Sequence, residues 1–142
     1  MAEVAIRVAA AATMLWLGMV MAISFMEAPL KFRAEGLDLR VGLAIGRIVF
    51  RALNIAEVGW AVVVAVCLAV ARPAAPLLVL AAGTGALLVV QLVLIRPRLN
   101  RRSTLILAGH DAPRSRAHHA YIGSEVLKLG ALVALGTTLL WA

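Results

Sequence analysis

Arg47-Ile-Val-Phe-Arg51-Ala-Leu-Asn54-Ile-Ala-Glu57 leads directly into the apolar segment from Val58 to Ala71. On a helix, at about 100° per residue, Arg47, Arg51, Asn54 and Glu57 share one side. A polar stripe therefore enters a stretch with the composition of a membrane span and ends in a carboxylate below the surface. Such a group costs about 2.5–3.5 kcal/mol in hydrocarbon on insertion scales unless it faces protein or water. The stripe predicts a helix whose polar side looks into a bundle of other helices.

The rest of the chain agrees with a membrane setting. It has 142 residues, 63% of them hydrophobic, and a mean hydropathy of +0.99; soluble domains are about 45–50% apolar. That length holds a few spans and no second globular domain. The net charge of +7 does not point to nucleic acid, because the basic residues lie between apolar runs and no RNA- or DNA-binding motif is present. Cys67 is alone in an apolar run, which excludes a disulfide framework and a CxxC redox pair.

Outward from the stripe, four apolar runs have span length, about 20 residues: roughly 8–26, 50–71, 76–95 and 122–141. The first competes with a signal peptide, since Arg7 precedes it and Ala22-Ile-Ser24 resembles a cleavage site. Its length favours a retained span. Pro29 and Gly36 predict a turn or broken helix end, and Asp38 a cap for a helix starting near Leu39. Arg72-Pro73 ends that helix, which makes the second and third spans a tight hairpin. Arg96-Pro97 closes or kinks the third span. From Arg98 to His119 the chain reads as a polar, basic connection with a loop around Gly109 and Pro113. The expected fold is all-α: a single transmembrane domain, a four-span transmembrane helical bundle.

Lys31, Arg33, Arg40, Arg47, Arg51, Arg96, Arg98, Arg101, Arg102, Arg114 and Arg116 fall on one side, against Arg7 and Arg72 on the other. The positive-inside rule then places the basic loops in the cytoplasm and both termini outside a cell inner membrane.

Each span carries polar groups in its cytoplasmic half: Glu27 and Lys31; Asn54 and Glu57; Gln91; and His118, Tyr121, Glu125 and Lys128, which recur at three- and four-residue steps on one face. Convergence of these groups keeps charge out of lipid. With Arg47 and Arg51 they form a candidate polar cavity. Two accounts stay open. One is an internal ion-pair network with Glu57 and Glu125 neutralised by Arg51, Lys128 or Lys31, fixing register without chemistry. The other is a hydrated, cytoplasm-facing cavity that binds a polar or ionic solute or relays protons, with Glu57 as its deepest group.

No metal or cofactor is expected. His110, His118 and His119 belong to one loop and helix start, adjacent histidines point about 100° apart on a helix, and Glu-x-x-His pairs are absent. No hydrolytic triad is visible, so no enzymatic activity is expected. Gly18-x-x-x-Ala22, Gly42-x-x-x-Gly46 and Gly83 with Gly85 would permit close helix approach.

Trp16-Leu-Gly18, then Phe25-Met-Glu-Ala28-Pro29-Leu-Lys-Phe32 and Gly46-Arg47-Ile-Val-Phe50, resemble the motifs of the DUF4149, or TMEM205-like, small integral membrane proteins. Gln91-x-x-Leu-Ile-Arg-Pro97-Arg98 resembles that family's third span. The resemblance covers about the first hundred residues and implies a four-span helical protein without established catalysis. The expected function is a small transport or solute/ion-binding protein. The alternative is an accessory subunit of a larger membrane complex, respiratory or transport. The expected partners are the bilayer and a homo-oligomer or such a complex.

Overall fold

The computed structural model describes residues 1–113 and 116–142, apart from the side chain of residue 117. Arg114, among the basic residues counted above, lies outside them. The regular structure of the described residues is helical, and four helices are long and apolar enough to cross a membrane. They are α1 (Ala2–Lys31), α2 (Leu39–Ala71), α3 (Ala75–Leu107) and α4 (Arg116–Leu140). The chain is a polytopic membrane protein.

The second helix runs where its sequence signals place it. Asp38 has extended backbone and its side chain accepts from the Arg40 amide at 3.4 Å. At the other end Arg72 adopts the left-handed conformation, φ 50°, and donates to the Leu68 carbonyl at 2.8 Å, with Pro73 barring continuation. The 33 residues between make a rod of about 50 Å, longer than the hydrocarbon core of about 30 Å.

Helices α1 and α3 outrun the spans expected of them. Neither Pro29 nor Arg96-Pro97 ends its helix; α1 continues to Lys31 and α3 to Leu107, so much of the stretch read as a basic connection is helical. The reason is the same in both. A proline ring crowds the carbonyl four residues earlier in an α-helix. Here a widened turn precedes each proline, over Met21–Glu27 and Gln91–Ile95. In these turns the Ala28 amide reaches back to Ile23 and that of Arg96 to Gln91, five residues instead of four. Such π turns re-space the carbonyls, and the helix passes the proline.

Helix α1 lies against both α2 and α4, α3 lies mainly against α4, and α2 and α3 meet closely only over part of their length. One apolar core joins Ala9, Ala12, Val64, Leu68 and Leu135; a second joins Trp16, Val20, Leu88 and Leu132. Burial is inverted relative to a soluble domain. Lys128, Glu57, Glu125 and Gln91 are buried, while Ile48 and Val79 are about 70% exposed (72% and 71%). An exterior of Leu, Val and Ile suits acyl chains, and charge can be kept from them only at the centre.

The expected glycine contacts divide. A methyl group on Gly42 would meet the Phe32 ring at 2.5 Å, and one on Gly46 the Lys31 ammonium at 3.0 Å. That pair therefore seats the end of α1. Gly18, Gly83 and Gly85 have nothing within 4 Å of such a methyl, so they mediate no close helix approach. Gly42→Val is expected to cost about 1–3 kcal/mol by overpacking, whereas Gly83→Ala is expected to be neutral or stabilising by up to about 1 kcal/mol. Denaturant titration of helicity in detergent measures both.

Candidate functional site

The polar residues singled out in the sequence do not form one cavity. They form three groups, each built by different helices.

The first is a closed network at the centre of the bundle. The Lys128 ammonium donates to Glu57, to Gln91 Oε1 at 2.7 Å and to Glu125 Oε1 at 2.9 Å. An ammonium has three hydrogens, so its donors are used up. The Gln91 amide nitrogen donates to Glu125 Oε1 and to Ser124 Oγ, both at 2.8 Å, which fixes the amide's orientation. Trp16 Nε1 on α1 donates to Glu57 Oε1 at 3.0 Å. Lys128 has no exposed surface, and Glu57, Gln91 and Glu125 are each 2% exposed. This is the ion-pair arrangement foreseen for Glu57 and Glu125. The neutralising residue is Lys128; neither Lys31 nor Arg51 pairs with either carboxylate among the described residues. Glu125 Oε2 is buried without a hydrogen-bond partner among the described residues.

The second group lies where α1 ends. Lys31 pairs with Glu27 at 3.2 Å, and its ammonium sits 5.5 Å from the Phe32 ring centre and 5.7 Å from that of Phe50. Partial burial and cation–π contact hold this lysine against α2.

The third group is a cavity of about 500 Å³ between α2 and α3, lined by Arg47, Ile48, Arg51, Asn54, Arg96 and Asn100. Arg96 is its best-held member. Its guanidinium donates to Asn54 Oδ1 at 3.1 Å and to the Phe50 carbonyl at 3.4 Å. It also stacks 4.6 Å from the Phe50 ring centre and 5.3 Å from that of Tyr121, rings that meet edge to face at 5.9 Å. A planar guanidinium suits such stacking, and the stack fixes where its remaining donors point. No carboxylate lines the cavity, and none of its three arginines is ion-paired with a carboxylate among the described residues. Three like charges facing one space make it a ready site for an anion.

Comparison with known protein families, characterised proteins and solved structures found no match. The reading of this site rests on its geometry.

The stripe of α2 is thus divided, with Glu57 turned towards α1 and α4 while Arg47, Arg51 and Asn54 face α3. Tyr121 belongs to the wall behind Arg96. The rings of His118 and His119 lie 6.0 Å apart at 73°, and among the described residues no three of His, Cys, Asp and Glu cluster as metal ligands would.

Trp16, Ser124, Arg96 and Asn100 were not among the residues expected at a site. For Arg96 a signal existed. On a continuous α-helix it stands about 140° from Gln91, but the five-residue turn between them brings both to the inner side of α3. Pro97 marks where such a turn can occur.

Lys128→Met would leave two buried carboxylates facing each other. The expected cost is about 3–5 kcal/mol, and adding Glu57→Gln should recover part of it, with a coupling above about 1 kcal/mol. A double-mutant cycle of unfolding free energies in detergent reads this out.

Proposed function

We propose that this chain is a binding or transport protein of an inner membrane that takes a small anionic solute into a basic, cytoplasm-facing cavity. The observation that carries the reading is the meeting of Arg47, Arg51 and Arg96 around one space without a counter-charge among the described residues. Asn54 and Asn100 add amide groups that can select among anions by hydrogen bonding. The buried network of Lys128 serves in this reading as the fixed floor on which the cavity is built. Kinship with the DUF4149 proteins and a role without catalysis belong to the same proposal.

The cytoplasmic assignment follows from the positive-inside rule and is tested by labelling. In a Cys67→Ser background, a cysteine at Arg101 should react with an impermeant maleimide only after permeabilisation, and one at Trp141 in intact cells. The reverse pattern would turn the cavity outward.

Inorganic phosphate serves as the probe for the site. Charge-assisted hydrogen bonds contribute about 1.5–3 kcal/mol each, so Arg51→Gln or Arg96→Gln is expected to weaken phosphate binding by roughly 10- to 100-fold. Calorimetry on delipidated protein in a non-ionic detergent measures it. Equal binding by the double variant, or none by the parent protein, would remove the anion reading.

A further inference from the structure

Beyond the basic cavity, α2 and α3 separate into an apolar cleft of about 570 Å³, within the range of about 300–1,000 Å³ that ligand sites occupy. Small side chains make the gap: Ala61, Ala65 and Ala69 on α2, at four-residue steps, and Ala81, Ala82 and Gly85 on α3. Trp16 of α1 lines its inner wall. The cleft and the basic cavity lie between the same two helices. On α2 the lining passes from Asn54 to Val58, and on α3 from Arg96 to Leu92, one helical turn in each case. The two spaces are thus the polar and apolar ends of one groove.

The dimensions of that groove name a class of occupant. From Arg51 to Val58 α2 rises about 10 Å at 1.5 Å per residue, so the cleft opens within the leaflet whose headgroups lie beside the arginines, about 15 Å deep, and continues from there past the midplane towards Ala69. The expected span, which starts near residue 50, puts the basic end at the level of that leaflet's headgroups. We infer that the groove holds an anionic glycerophospholipid of the surrounding leaflet, with its phosphate among Arg47, Arg51 and Arg96 and an acyl chain in the cleft against Trp16. The inference rests on the anion-binding reading of the same cavity and adds the hydrocarbon part of the ligand. Charge selects the headgroup, because three arginines without a carboxylate partner among the described residues favour a lipid with net negative charge over a zwitterionic one. Alanine and glycine admit the chain, because larger residues would let the two helices fill the gap themselves.

Quenching of Trp16 fluorescence by brominated acyl chains reports entry into the cleft. The measurement uses a Trp60→Phe, Trp141→Phe background reconstituted in phosphatidylcholine bilayers. Dibrominated phosphatidylglycerol is expected to quench Trp16 at least twofold more than dibrominated phosphatidylcholine at the same mole fraction. Arg51→Gln with Arg96→Gln should equalise the two lipids, and Ala65→Phe with Gly85→Leu should suppress quenching by both. Equal quenching by the two lipids with all arginines present overturns the inference, as does a preference that survives loss of Arg51 and Arg96. A stoichiometric membrane protein released by Ala65→Phe would give the cleft to a partner helix and also overturns it. Phosphate binding to the delipidated protein separates the two levels. If phosphate binds but phosphatidylglycerol shows no preference, the lipid assignment fails alone; if phosphate does not bind, the reading beneath it fails too.

Discussion

One ammonium group holds the architecture in register. Lys128 of α4 reaches Glu57 on α2, Gln91 on α3 and Glu125 on its own helix, and Glu57 takes a further bond from Trp16 on α1. In a bilayer the hydrophobic effect does not sort helix from helix, because a leucine is as much at home against lipid as against protein. Shape and hydrogen bonding must do so. A buried network whose bonds form together only when all four helices stand at one height and rotation discriminates strongly among packings of otherwise interchangeable apolar faces. Buried ion pairs are poor sources of net stability, and fixing register is their best-attested use. The completeness of the hydrogen bonding around Lys128 and Gln91 fits that use better than it fits an open, water-filled site.

The two polar ends of α2 illustrate opposite treatments of charge. Glu57 is matched by a cation, enclosed and bonded at Oε1. Arg47 and Arg51, three and two turns before it, remain exposed beside Arg96 and unmatched by any carboxylate among the described residues. A matched interior charge has already found its ligand within the chain. An unmatched cluster has not, and it is there that binding of something from outside lowers the energy most. The functional argument therefore follows the arginines and leaves the deeper carboxylate a structural part.

Much of the scaffold was legible because it depends on local chemistry. Asp38 as a cap, Arg72-Pro73 as a stop, the length of α2 and the common face of Tyr121, Glu125 and Lys128 all follow from spacing along one helix. The meeting of Glu57 with Lys128 was legible only as one of several pairings, since nothing in the order of residues says which cation lies across the bundle. Three features were hidden. Trp16 stood in the sequence only as part of a family motif, with nothing to show that its indole meets Glu57. Gly85 read as part of a packing surface, yet with the alanines of α2 and α3 it borders a gap. Pro29 read as a turn or broken helix end and Pro97 as a close or a kink, because a local rule about proline takes no account of a preceding turn that widens to accommodate it.

That widened turn in α3 has a consequence for how the protein can vary. Between Gln91 and Arg96 the helix carries one residue more per turn than its neighbours, so the portion after it is offset in rotation from the portion before. Removing a residue there would restore ordinary winding and swing Arg96 and Asn100 off the inner side while leaving the side-chain bonds of Gln91 in place. The segment works as a coupling sleeve between two shafts: the half bolted to Lys128 stays put, while the half bearing the arginine can be re-aimed by insertions and deletions that leave the bolt untouched.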